Sequence, residues 1–322
     1  MRSSSSIGLA ALAAFLSASV AWSSRAEAQP QAQGYALDRL YLAAPGAGWF
    51  VMDALDIHGG LGGVASMTLG YSNDPLLVTQ GPQRLAVVAN QAFADFGFAA
   101  TYSRWRFYLD LPMPVVIKGH SGVLDGYSFT APNVDLSSVP DTISDPRIGV
   151  DVRILGEPGG PFRLGASGQL FVPSGVRGDY DTDERVRAMI RALFAGDIGQ
   201  FTWAAQLGFH IRTLDEAPTP DSPRGSELLF GAAGGVRVPV AAGALALVMG
   251  PEFYGATPFS TFFSASETPF EGLLSARVEG TRSNGVQWRF RVGAGGGINA
   301  VVGAPAWRVV AGIEVFNHSD KQ

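Results

Sequence analysis

The chain has 322 residues, 47% of them hydrophobic and only 16% charged, with 41 glycines, no cysteine and a formal net charge of −5. It is too apolar to be disordered, and without cysteine it can form no disulfide, thiolate metal site, cysteine nucleophile or lipoprotein anchor. The acidic balance gives no reason to bind nucleic acid, and beyond the first twenty residues no apolar run approaches the roughly 20 residues of a spanning helix.

Arg2, the apolar stretch at 7–20 and Ala26-Glu27-Ala28 together read as a secretory signal over 1–28, cleaved before Gln29. Its removal takes Arg2, Arg25 and Glu27 away and leaves a charge of −6. Residues 29–56 follow, with Tyr35-Ala36-Leu37-Asp38-Arg39-Leu40 and Trp49-Phe50-Val51-Met52 divided by Pro45, Gly46 and Gly48. They do not alternate, so they read as a periplasmic lead-in or a plug docked against or inside a barrel mouth, the alternative being a flexible leader.

From 57 to 316 the dominant signal is alternation. Phe162, Leu164, Ala166, Leu170 and Val172 point one way, while Arg163, Gly165, Ser167 and Gln169 point the other. About twelve such segments occur, which predicts a closed, all-β, antiparallel transmembrane barrel whose apolar face meets lipid. In chain order the outward faces carry Leu61, Met67 and Leu69 on the first strand, 57–71; Phe96, Phe98 and Tyr102; Trp105, Phe107, Leu109 and Leu111; and Ile148, Val150, Val152 and Ile154. After the fifth strand, given above, come Val186, Ala188, Ile190 and Phe194; then Phe201, Trp203, Leu207, Phe209 and Ile211; then Leu228, Phe230 and Val236; then Leu245, Leu247, Met249 and Phe253. The last three carry Phe270, Leu274 and Val278; Val286, Trp288, Phe290 and Val292; and Trp307, Val309, Ile313 and Val315. Trp105, Phe162, Phe201, Trp288 and Trp307 are placed to form interfacial girdles.

Connections alternate in length. Tight links are expected at 103–104, 157–160, 199–200, 239–243 and 281–285, and longer polar ones at 72–83, 118–144, 175–183, 213–224 and 255–267. Short periplasmic turns and long outer loops are the pattern of an outer-membrane barrel, with both chain ends periplasmic.

Asp145-Pro146-Arg147-Ile148-Gly149-Val150-Asp151-Val152-Arg153, Phe171-Val172-Pro173-Ser174-Gly175, Gly225-Ser226-Glu227-Leu228-Leu229-Phe230-Gly231 and Thr268-Pro269-Phe270-Glu271-Gly272-Leu273-Leu274 resemble a Gram-negative outer-membrane barrel module. The module is the one that precedes peptidoglycan-binding domains of the outer-membrane protein A type. The lead-in, with Ala36-Leu37-Asp38-Arg39 and Trp49-Phe50, is similar too. The resemblance implies outer-membrane lipid, lipopolysaccharide and the barrel-assembly machinery as partners. The chain departs from it by stopping at Gln322 without the peptidoglycan-binding domain, and by following Phe316 with a polar tail, 317–322.

Parity places most charge inside. Fourteen arginines are predicted inward, namely Arg104, Arg106, Arg147, Arg153, Arg163, Arg185, Arg187, Arg191, Arg212, Arg237, Arg277, Arg289, Arg291 and Arg308, against eight carboxylates, Asp95, Asp110, Asp151, Glu227, Glu252, Glu271, Glu279 and Glu314. Arginine grips anions in two-pronged contacts, so one reading is a narrow channel favouring small anions, with the sixth strand as a basic wall facing Glu252, Glu271 and Glu279. The other is an ion-pair network that packs and shuts the lumen.

Catalytic signals are weak, because neither His120 nor the inward His210 has a local motif. Asp179 to Glu184 begins like a calcium loop without its glycine and distal glutamate, and 293–297 lacks the Lys-Ser/Thr of a phosphate loop. No metal or cofactor is expected. The reading is a monomeric outer-membrane barrel, structural or a small-solute channel, and not an enzyme. The rival is a barrel enzyme or surface adhesin acting through the outer loops.

Overall fold

The computed structural model describes residues 29–136, 143–214, 225–281 and 286–318. The alternating segments form twelve long strands: β1 Gly62–Gln80, β2 Gln83–Tyr102, β3 Trp105–Lys118, β4 Arg147–Leu155, β5 Arg163–Phe171, β6 Arg187–Ile198, β7 Phe201–Ile211, β8 Glu227–Val240, β9 Leu245–Pro258, β10 Phe270–Thr281, β11 Gln287–Gly297 and β12 Trp307–His318. Each pairs antiparallel with its sequence neighbours. β12 pairs back onto β1 from Gly62 opposite His318 to Asn73 opposite Trp307, so the sheet closes.

The residues read as outward are all exposed or half-buried, and none is buried. Phe98, Phe107, Ile148, Ile190, Leu207 and Phe290 form part of a continuous apolar outer wall. A closed ladder satisfies the wall amides without water along almost the whole circumference, and a wall this apolar has lipid as its solvent, so the chain is a transmembrane barrel of the Gram-negative outer membrane. Among the described residues no helix is long and apolar enough to cross a membrane, and the crossing is made by strands.

The boundaries differ from expectation in three places. β1 starts at Gly62 rather than residue 57 and runs to Gln80, so the link expected at 72–83 is strand apart from the turn at Gly81 and Pro82. Asp74 and Pro75 look like loop residues in sequence. The strand continues past them through two register shifts because Leu76, Val78, Val87 and Val88 bury themselves against Ile117, Leu124 and Phe129. This hairpin rises beyond the wall, since β12 stops opposite Asn73. β9 reaches Pro258, and β12 reaches His318, so Asn317 and His318 belong to strand rather than tail.

Turns at 103–104, 156–162, 199–200 and 241–244 lie at one end, which we term the turn end. The links 172–186, 259–269 and 298–306, and the described parts of two others, 119–136 with 143–146 and 212–214 with 225–226, lie at the loop end. Trp105, Phe162 and Phe201 ring the outer wall at the turn end, and Trp307 lies at the loop end. The expected signal at 1–28, most of the links at 213–224 and 281–285, and the tail beyond 318 fall outside the described residues.

Candidate functional site in the barrel interior

The interior is occupied by the segment before β1, which does not stay at the mouth where β1 begins. It starts at the loop end, where Ala32 N–H donates to the Ser128 carbonyl (2.9 Å) and Leu37 N–H to the Tyr180 carbonyl (3.2 Å). It ends at the turn end, where the Ile57 carbonyl accepts from Arg153 (3.0 Å). Between them it threads the whole barrel. Its lack of alternation follows from this position, because a segment surrounded by wall on every side has no wet face to alternate towards.

Three tiers of contact hold it. At the loop end Asp38 takes a two-pronged grip from Arg308 (2.7 and 3.0 Å), and Arg308 also reaches Glu271 (3.1 Å). Arg39 pairs with Glu227 (2.8 Å), which Arg212 also holds (2.9 Å). Arg212 grips Asp183 (2.7 Å), whose carboxylate accepts the Ala36 N–H (2.8 Å). In the middle the Glu252 carboxylate, fully buried, accepts the N–H groups of Phe50 (3.0 Å) and Val51 (2.9 Å), and Arg291 donates to the Trp49 carbonyl (2.8 Å). The guanidinium groups of Arg277 and Arg291 lie 4.8 Å from the Trp49 and Phe50 ring centres. At the turn end Asp53 pairs with Arg106 and Asp56 with Arg163 (3.1 Å), and Glu314 accepts from Gly46 N–H (3.1 Å) and Arg289 (2.6 Å). Leu40, Leu42, Trp49, Phe50, Val51, Met52 and Leu55 fill the remaining space against Leu193, Ala204, Val248, Leu273 and Val310 of the wall.

Of the predicted lumen residues, Arg106, Arg147, Arg153, Arg163, Arg187, Arg191, Arg212, Arg277, Arg289, Arg291 and Arg308 are at most 5% exposed, and Asp151, Glu227, Glu252, Glu271 and Glu314 at most 1%. Asp95 and Asp110 are buried beside Arg147. Arg237 and Glu279 are half-buried at the turn-end mouth and paired there (3.3 Å). Two assignments are corrected. Arg104 sits in the two-residue turn after β2 and Arg185 lies ahead of β6; both are exposed, because parity has no force where the ladder ends.

The expected field between a basic sixth strand and an acidic ninth and tenth does not form. Arg187 pairs with Asp145 (2.7 Å), and Arg191 bonds Gln206 (3.2 Å) and Ser167 (3.0 Å). Glu252 serves the threaded segment, Glu271 pairs with Arg308, and Glu279 with Arg277 (2.8 Å). The partners that sequence reasoning missed include Asp38, Asp53 and Asp56 on the lead-in, Asp145 and Asp183 in the loops, and Asp197 near the end of β6, which pairs with Arg163 (2.8 Å). One signal was available, since Trp49 to Leu55 is too apolar for a solvated leader.

At the loop end, burial pushes the Asp183 carboxyl up, but Arg212 and Arg187 outweigh it and hold the group well below the usual carboxylate range. Among the described residues no cation pairs with Asp181. Burial, with Asp179 and Asp145 nearby, pushes it up to about 7. His210 is buried between Tyr41 and Glu227 (3.2 Å to each). Among the described residues no group of three or more His, Asp or Glu is placed to hold a metal.

Two spaces remain. A cavity of about 470 Å³ opens at the turn end beneath Pro45, Gly46 and Asp56, lined by Arg106, Arg237, Arg289 and Glu279. A smaller one of about 100 Å³ lies between Leu40, Tyr41 and Leu42 of the lead-in and Phe93, Pro112, Met113 and Pro114 of the wall. The wall is thin there. β3 pairs with β4 only up to Asp110 opposite Arg147, and with residues 133–134 only at Ile117 and Lys118. Between these, among the described residues, Ser144 N–H to the Pro112 carbonyl (3.0 Å) bridges the gap, and Pro112 and Pro114 have no N–H to give a ladder.

No family model and no curated protein matches the sequence. Solved structures do match the fold. An outer-membrane channel from Pseudomonas putida F1 aligns over 85% of this chain and 99% of its own, at TM-score 0.52 and 12% identity. The NanC porin aligns over 80% and 99% at TM-score 0.45 and 6% identity, and CymD, a monoaromatic hydrocarbon channel, over 88% and 99% at TM-score 0.42 and 10% identity.

Proposed function

We propose that this outer-membrane barrel is a narrow small-solute channel, without enzymatic activity, whose axial path is closed by its own residues 31–57. Its loop end faces outward towards lipopolysaccharide, its turn end faces the periplasm, and barrel-assembly machinery inserts it. The observation that carries the reading is the way the segment is held. Among the described residues its bonds to the twelve wall strands run through side chains, and its backbone-to-backbone bonds beyond itself go to Ser128 and Tyr180 in the loop-end links, as suits an element that moves separately from the wall. Seven apolar side chains buried at ~1.5–3 kcal/mol each set the cost of complete ejection at about 10–20 kcal/mol, so opening is a local displacement rather than release. Any displacement strips Asp38, Asp53 or Asp56 from its arginine, and the exposed guanidinium groups favour anions.

The absence of native cysteine allows a clean test. The Cγ of Pro45 lies 2.6 Å from where a side chain on Gly97 would begin, and only side-chain atoms crowd that point, so Pro45→Cys with Gly97→Cys can tie the segment to β2. Planar-bilayer recordings of the reduced protein should show brief anion-preferring openings that oxidation abolishes. Equal conductance in both states would refute axial gating.

A second reading rests on the gap beside β3. The small cavity behind it is lined by Leu40, Leu42, Phe93 and Met113, and an apolar solute in the outer leaflet could reach it by displacing the Ser144 bridge. Binding of an apolar fluorescent probe that Leu42→Trp blocks would favour this route over the axial one.

A further inference from the structure

The link 259–269, which stands where a polar link is expected at 255–267, carries Phe259, Phe262 and Phe263, which are 48%, 54% and 58% exposed. These rings do not project into the water above the barrel. Phe259 stacks on the outward Phe209 of β7 (5.8 Å between centres), and Phe263 packs on the outward Phe230 of β8 (5.8 Å). Phe230 in turn meets Phe270, and Phe262 joins Phe259 to Phe263. The loop is therefore folded over the outside of β7 to β10, and its aromatic surface continues the lipid-facing wall without a break.

Several of its polar groups are bonded within the loop or to its flanks. Phe263 N–H donates to the Thr257 hydroxyl (2.7 Å), Ser264 N–H to the Thr261 carbonyl (2.8 Å), and Phe259 N–H to the Ser226 carbonyl (3.0 Å). The loop's one charged residue, Glu267, accepts from the Thr261 hydroxyl (2.7 Å). A loop that only met water would not need this bonding. A loop entering the edge of the hydrocarbon layer must have it, because there each unbonded amide costs several kcal/mol.

We infer that the 259–269 loop is a membrane anchor that inserts Phe259, Phe262 and Phe263 among the acyl chains of the outer leaflet and fixes the depth of the barrel beside β7 to β10. The occupant of this surface is lipid, because the patch is continuous with the wall that lipid already covers and its large exposed side chains are all apolar rings.

The test uses a nitroxide on Phe262→Cys, with Phe263→Cys as a second site, in full-length protein in phosphatidylcholine/phosphatidylglycerol vesicles. Leu207→Cys is the lipid reference, and Val123→Cys, exposed on the 122–129 hairpin, is the water reference. Heat-modifiable gel mobility shows whether each variant has folded. Both loop labels should be relaxed by oxygen in preference to a water-soluble nickel chelate, shifting from the ratio at 123 towards that at 207. A ratio matching 123 would overturn the anchor in favour of a solvated loop. Labels shielded from both reagents would overturn it in favour of contact between two copies of the chain.

Discussion

The grip on the threaded segment is most exposed to attack at Glu252. Its carboxylate is fully buried, it is the acceptor for two adjacent backbone N–H groups, and no arginine pairs with it among the described residues. Glu252→Ala orphans both amides in a region closed to water. Each buried unsatisfied donor costs ~1–3 kcal/mol, so the segment's docking should weaken by about 2–6 kcal/mol, against a total apolar hold of about 10–20 kcal/mol. It should remain docked but open locally far more often. Val51→Cys supplies the reporter, since Val51 is 2% exposed and the substitution changes volume little. With labelling by a water-soluble maleimide limited by the opening equilibrium, Glu252→Ala should raise the reaction rate by about 30-fold to about 10⁴-fold, at 1.36 kcal/mol per tenfold. Glu252→Gln keeps one acceptor and should fall between. An unchanged rate with the barrel intact would mean that the middle tier does not hold the segment.

Lipid contact predicts that Leu207→Arg, on the outer wall of β7, lowers unfolding stability in vesicles by about 2–4 kcal/mol, whereas Gln83→Arg at the exposed hairpin tip leaves it unchanged. Gln206→Arg should not be benign even though it points inward. Gln206 is 7% exposed and bonds Arg191, so a second guanidinium would be buried beside the first, and a loss comparable to that of Leu207→Arg is expected in the same urea titration. Asp181 gives a pH signature. Its folded pKa of about 7 exceeds the ordinary value, so between about pH 4 and about 7 the unfolded chain releases a proton that the folded one keeps, and stability falls as pH rises through that window. Asp181→Asn should flatten this slope and raise the unfolding midpoint at pH 8. An identical slope in the variant would show that another group sets it.

The wall was legible in the sequence because side-chain alternation is a property of the extended backbone. Once Phe162 to Val172 reads as a strand, the faces of Arg163 and Leu164 follow whatever the neighbours are. The same rule fails at Arg104 and Arg185, which lie where the ladder has ended, and across Asp74 and Pro75, where β1 slips register and carries on because the hairpin beyond is buried. Parity also says nothing about partners. It places Glu252 and Arg187 inside, but whether they face each other depends on what lies between them. The lead-in has no period and forms no element alone. Its path from the Ser128 carbonyl at one end to Arg153 at the other is fixed only when twelve strands close around it, because only the closed barrel offers carboxylates and guanidinium groups at the heights where its amides, carbonyls and Asp38, Asp53 and Asp56 can be satisfied away from water.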